Sequence, residues 1–236
     1  MPTANTPYAD AARTIVTLDG PAGSGKSTTA REVARRLGYR YLDSGALYRM
    51  LTHALLDQQI APERWPDLTA AELSQLGVSA RPGDETLVLE YRGCRLGDEL
   101  RTVEVTRHVS HLAQLPAVRA WLLDTQRDLG RAGRLVADGR DMGTVVFPEA
   151  GTKVFLEADL AERARRRLLD EGVAAPDEQN LGDEALRLKE RDRADRERVE
   201  SPLRVPDGAT IIDTTGLSFD AQVNRVVELA QKAAGL

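Results

Sequence analysis

The octapeptide Gly20-Pro21-Ala22-Gly23-Ser24-Gly25-Lys26-Ser27 satisfies the pattern G-x-x-x-x-G-K-[ST] at every fixed position. The short run Thr14-Ile15-Val16-Thr17-Leu18, rich in β-branched residues, precedes it. After it come Val33, Ala34 and Leu37 at helical spacing, ended by Gly38. Strand, glycine-rich turn and helix are the predicted order. The residue types suit a phosphate cradle. Three glycines let the backbone curl so that several N–H groups face one anion. The helix that follows adds the positive end of its dipole. Lys26 is a mobile point charge for phosphate oxygens, and Ser27 offers a hydroxyl to a Mg²⁺ that bridges them. A nucleotide is therefore expected on residues 20–27, and a glycine-rich connector is the alternative.

The rest of the chain decides what surrounds this loop. Tyr39 to Leu42 reads as a second strand, and Asp43-Ser44-Gly45 opens a helix carrying Leu47, Leu51, Leu55 and Leu56. Residues 60–116 break the pattern: Val78–Arg81, Thr86–Tyr91 and Cys94–Leu96 are short strand-like runs separated by Pro82-Gly83-Asp84 and Arg92-Gly93. Those turns predict a small antiparallel insert. A long helix is expected from Pro116 to before Gly133, with Val118, Trp121, Leu122 and Leu129 inward. Strands follow at Leu135–Ala137, Lys153–Leu156 and Ala209–Ile212, with the densely charged residues 159–200 helical and a last helix over Ser218–Ala234. Residues 1–12 read as a loose tail. Alternating strands and helices imply a parallel sheet with right-handed crossovers.

Composition removes several classes. The 236 residues fit one α/β domain with appended pieces, or two small ones. A hydrophobic content of 42% can fill a core, and no apolar run approaches the roughly 18 residues of a membrane span. The N-terminus lacks the layout of a secretory signal, and a lone Cys94 forms no internal disulfide, so a cytoplasmic setting is expected. A net charge of −5 argues against binding along a nucleic acid polymer.

A second site is written in charge. Asp138 ends an apolar strand, placed either to hold the water shell of the cation or to start the turn at Gly139. Arg49, Arg119 and Arg140 fall in loops or helix starts, and Arg191, Asp195 and Arg198 share one face at i, i+4 and i+7. Guanidinium forks suit phosphate oxygens. Singly, each reads first as a solvated surface residue or a local ion pair; together they suit an enzyme that brings two polyanions into one cleft. Such an acceptor needs little base chemistry, and His53, His108 and His111 stand apart from every motif as ordinary helix or surface residues. Guanine-specific switches carry N-K-x-D, which none of the three asparagines supplies.

Taken in order, Asp19–Lys26, Leu42–Arg49, Ala137–Pro148 (A-D-G-R-D-M-G-T-V-V-F-P), Arg191-Asp192 with Asp195 and Arg198, Ser201-Pro202-Leu203 and Asp213-Thr214-Thr215 resemble the bacterial cytidylate kinases over nearly the whole chain. The resemblance implies an α/β P-loop nucleoside monophosphate kinase fold, with a five-stranded parallel sheet, a helical lid and an antiparallel insert. It implies a core over 13–59, 117–156 and 201–236, an acceptor-binding insert over 60–116 and a lid over 157–200. It implies ATP with Mg²⁺ as donor and CMP and dCMP as acceptors; the composition predicts no membrane partner and is compatible with a monomer. By position, Gly20, Pro21, Ala22, Gly23, Ser24, Gly25, Lys26, Ser27 and Thr28 would hold ATP, with Lys26 and Arg191 catalytic. Ser44, Arg49 and Arg140 would hold the acceptor's sugar and phosphate; Ser110, Arg119 and Asp141 would read the base; Asp195 and Arg198 would face the ribose. Many relatives carry Gly-Thr after the lysine where this chain has Ser27-Thr28, so Thr28 is the substitute metal ligand should Ser27 not serve. Another acceptor such as UMP, or a nucleotide-gated binding module, stays open at this level.

Overall fold

The computed structural model describes residues 11–83 and 86–235. In chain order they form β1 (Ile15–Asp19), α1 (Lys26–Leu37), β2 (Arg40–Asp43), α2 (Ser44–Asp57), α3 (Ala70–Ser74), β3 (Val78–Pro82), β4 (Leu87–Tyr91), β5 (Cys94–Arg95), α4 (Val103–Leu112), α5 (Pro116–Gly130), β6 (Leu135–Gly139), β7 (Thr152–Glu157), α6 (Leu160–Asp170), α7 (Glu178–Glu197), β8 (Thr210–Asp213) and α8 (Phe219–Ala234). Five strands make one parallel sheet in the order β2-β6-β1-β7-β8, and β3-β4-β5 make a separate antiparallel sheet.

The period of two along the central strands sorts their side chains onto the two faces. Val16, Leu18, Val136, Val154 and Leu156 pack with Ala30, Val33, Val223 and Val226 from α1 and α8. Ile15, Leu135 and Ala137 pack on the other side with Leu47, Leu51, Leu55, Val118 and Leu122 from α2 and α5. Both faces are therefore covered, as an all-parallel sheet requires. The expected terminator Gly38 closes α1 at φ 63°, its N–H returning to the carbonyls of Ala34 and Arg35.

Some expectations need correction. The tail expected over 1–12 lies mostly outside the described residues, but Ala11–Arg13 form a helical turn and Ala12 is buried. Trp121 is only half-buried; its indole reaches the rim, where Nε1 donates to Ser74 Oγ at 3.0 Å. The charged stretch is two helices, α6 and α7, parted at 171–177. Arg198 caps the end of α7 at φ −61°, ψ 140°, one residue past the helix on which it was expected, while its guanidinium still meets Asp195 at 3.8 Å. The insert carries its antiparallel strands but also α3 and α4. Both had local signals: Thr69 and Glu72 form a capping box, and Thr102 caps α4 ahead of Val105, Val109 and Leu112.

Candidate active site

β1 lies at the centre of the sheet, and the loop 20–25 leaves its carboxyl end, where open α/β sheets form their crevices. Gly20 runs against β7 so closely that a Cβ there would collide with the Leu156 carbonyl. Gly25, at φ 83°, turns the chain into α1. Lys26 is buried, and its Nζ donates to Pro21 O at 2.5 Å and to Ser24 Oγ at 3.3 Å. Burial, then the nearby positive charge of Arg140, holds this amine well below the usual lysine range, with Asp138 and Asp19 opposing. An anion on the loop would supply the missing counter-charge.

Ser27 and Asp138 meet beside it: Ser27 Oγ donates to Asp138 Oδ2 at 2.6 Å, and Tyr41 OH donates to Oδ1 at 2.8 Å. Parallel register sets Asp43 and Asp138 side by side at the strand ends. Burial, then the Asp43 charge, pushes Asp138 up to about 6 against the pull of its two hydroxyl donors. Two hard oxygen ligands side by side fit a cation that keeps waters and phosphate oxygens for its other positions. Thr28 is exposed on the helix and makes no comparable contact with Asp138.

Across the cleft stands a cluster of arginines and carboxylates. Arg119, on α5, donates from Nη2 to Asp141 Oδ2 and from Nη1 to Ala113 O, the latter at 3.0 Å. Its guanidinium lies over the Tyr48 ring, 5.6 Å from the centroid. Arg198 approaches the other oxygen of Asp141 at 3.9 Å and is braced by Ser201 O at 2.6 Å. Arg140 binds Asp195 at 2.9 Å. Burial alone would raise Asp195, but Arg140 and Arg191 hold its carboxylate below the usual range. Arg191 is pulled down to about 10 by burial and then by Arg140. Ser44 Oγ donates to Asp138 O at 2.7 Å, and Arg49 is anchored by Leu100 O and Thr106 Oγ1 at 3.1 and 2.9 Å. Among the described residues, three buried guanidinium nitrogens make no hydrogen bond: Arg119 Nε, Arg191 Nε and Arg198 Nη2. Orphaned donors of this kind are costly in a finished fold, so they mark where an acceptor is missing.

A family model described as cytidylate kinase matches residues 16–232. The chain belongs to the cytidylate kinase family. The cytidylate kinase of Salinibacter ruber is 42% identical over 226 residues, covering 94% of this chain and 98% of that one. That of Chlorobaculum tepidum is 41% identical over 231 residues, covering 92% and 93%. The bifunctional pantoate ligase/cytidylate kinase of Synechococcus elongatus is 41% identical over 225 residues, 92% of this chain. This chain spans only 42% of that relative's length.

In this member of the cytidylate kinase family, one cleft of about 380 Å³ gathers Lys26, Ser27, Thr28 and Asp138 with Ser44, Arg49, Ser110, Arg119, Arg140, Asp141, Arg191, Asp195 and Arg198. Gly20, Pro21 and Ser24 lie beneath the loop and shape it without lining the cleft. Sequence reasoning missed Arg31, Tyr48, Arg101 and Arg167 in the lining. It also missed the link between the α6–α7 hairpin and the loop. Arg163 Nη1 donates to Ala22 O at 3.0 Å and to Asp192 Oδ2 at 2.6 Å, while Asp192 Oδ1 accepts from Ala22 N at 3.3 Å. No spacing in the chain announces a contact between residues 170 positions apart. The three histidines lie among aromatic rings: His53 against Tyr91, His108 and His111 against Trp65. Among the described residues, no three or more His, Cys, Asp or Glu side chains converge as a metal-ligand set, and no helix is long and apolar enough to cross a membrane.

Proposed function

We propose that this chain transfers the γ-phosphoryl group of ATP to CMP and dCMP, giving CDP and dCDP. The observation that carries the reading is the buried Arg119–Asp141 pair in the same cleft as the phosphate loop. Cytosine offers an amino donor at N4 beside acceptors at N3 and O2, and a carboxylate next to a guanidinium is its complement. Uracil would turn a carbonyl oxygen toward Asp141 and leave both sides unsatisfied.

ATP lies on residues 20–28, with Lys26 giving its charge to the phosphates. Ser27 and Asp138 would hold Mg²⁺, which when bound neutralises charge between the β- and γ-phosphates. Ser44, Arg49 and Arg140 take the acceptor's sugar and phosphate, Ser110 joins Arg119 and Asp141 at the base, and Asp195 and Arg198 face the ribose. The acceptor phosphate is already a nucleophile at neutral pH, so the protein's task is alignment and charge. Arg191, with an unpaired Nε in the cleft, is suited to meet the transferring group. The hairpin within 157–200 acts as the lid that excludes water, the region 60–116 as the acceptor arm, and 13–59, 117–156 and 201–236 as the core. A monomer in the cytoplasm is the working unit that this reading proposes.

Coupled ADP formation with CMP, dCMP, UMP, AMP and dTMP offered in turn tests this. The expected result is a kcat/KM for CMP and dCMP about 100-fold or more above that for UMP. Equal use of UMP, or hydrolysis of ATP independent of any acceptor, overturns it.

A further inference from the structure

Asp141 stands at the N-terminal boundary of the turn Met142–Val146, at φ −145°, ψ 20°. An aspartate in that place ordinarily folds its carboxylate back onto the first free N–H groups of its own turn. Here it does not: no side-chain cap forms, and the carboxylate goes to Arg119. The orphaned donors are met from another strand. Met142 N donates to Asp19 Oδ1 at 2.8 Å, and Gly143 N donates to Asp19 Oδ2 at 2.7 Å. Asp19 is fully buried at the end of β1, one residue before the phosphate loop. The fit leaves no slack: a Cβ on Gly143 would stand 2.8 Å from Thr17 Oγ1 and 2.9 Å from Pro206 Cγ.

We infer that Asp19 is a positioning residue for acceptor recognition: by capping the turn after Asp141 from β1, it frees the Asp141 carboxylate for the base and fixes it relative to the phosphate loop. Both carboxylate oxygens are needed, because two N–H groups arrive. An amide offers one acceptor oxygen and sets its NH₂ against the second donor. With that cap lost, Asp141 is the nearest acceptor for its own turn, and Arg119 loses its partner. The inference rests on the proposed reading that Asp141 faces the base.

The test is Asp19→Asn, assayed at pH 8 with CMP and UMP beside the unsubstituted protein. Expected are a KM for CMP raised about 10-fold or more, a smaller change in kcat, a CMP-to-UMP preference falling toward parity, and affinity for a fluorescent ATP analogue within about 2-fold. In an Asp141→Ala background the same substitution should cost little further, since the two act through one contact. Equal losses for ATP and CMP, a retained CMP preference, or additive losses in the double variant overturn the inference. Should Asp19→Asn not fold, amide exchange in the unsubstituted protein decides: Met142 and Gly143 are expected to be protected in the free protein and unchanged by CMP, and fast exchange there overturns it. An unsubstituted protein with no preference for CMP sinks the functional reading; a preference that survives Asp19→Asn sinks only the role of Asp19.

Discussion

Lys26 and Asp19 carry opposite charges into the interior at one end of the central strand, and each meets a different cost. Lys26 donates to Pro21 O and Ser24 Oγ until an anion arrives, so Lys26→Ala should leave the fold intact and cut turnover by about 1000-fold or more, read from steady-state kinetics beside a thermal melt. Near-native turnover would remove the lysine from the chemistry. Asp19 is raised from 3.8 to about 7 chiefly by burial and in part by the Asp141 charge, with the Met142 and Gly143 amides and Lys26 opposing. Below the lower value both folded and unfolded chains are protonated, and no penalty arises. Between about 4 and 7 the unfolded chain ionises while the folded one keeps its proton, so this residue lowers stability as pH rises and adds no further change above about 7. The unfolding free energy of the unsubstituted protein minus that of Asp19→Asn should fall across that window in urea titrations, then level. A difference independent of pH would refute the burial argument. At this scale the sequence was legible where chemistry follows a spacing, as at Gly20–Ser27. It was silent on Asp19, because a cap supplied from another strand has no local pattern.

The elements were legible in proportion to how local their causes are. Asp43 caps α2, Gly38 ends α1, and the insert strands follow from the turns between them, all from neighbours within a few residues. The five-residue turn 142–146 was missed because its first two amides, Met142 and Gly143, are satisfied from β1, and the end of α7 at Arg198 because that residue's place is set by Ser201 and Asp141. The hairpin's anchor is likewise non-local. Arg163 and Asp192 are buried together on the backbone of Ala22, beside the small cluster Ala22, Ala164 and Leu188. Breaking one partner strands a buried charge. Asp192→Asn should cost about 3 kcal/mol, with amide protection lost on α6 and α7 before β1. Replacing both partners, Arg163→Met with Asp192→Leu, should recover most of that stability, since a buried pair rarely outperforms apolar packing. Urea titration of the two variants checks this; a double variant no better than the single one would contradict it.

At the scale of the whole molecule, the fold brings two charged surfaces together. The parallel sheet ends in Asp19, Asp43 and Asp138; α2, α4 and α5 bring Arg49, Ser110 and Arg119 from one side; and the hairpin brings Arg191 and Asp195 from another. The alternating pattern foretold the sheet, whereas Arg31, Arg101 and Arg167 enter the lining without a motif to announce them. That two of the cleft's cations are paired internally, Arg119 by Asp141 and Arg140 by Asp195, emerges only from the assembled fold. This pairing offsets part of the mutual repulsion among the cations that line the cleft. It also predicts that Asp141→Ala harms CMP use far more than ATP binding. The central claim, a cleft that holds a triphosphate on the 20–27 loop and a cytosine on Arg119 and Asp141, is tested most directly by a crystal structure with CMP and a non-hydrolysable ATP analogue. The predicted result is the cytosine amino group about 3 Å from the Asp141 carboxylate, with the ring's acceptor edge on Arg119. A base bound elsewhere, with the Arg119–Asp141 pair turned away from it, would contradict the claim.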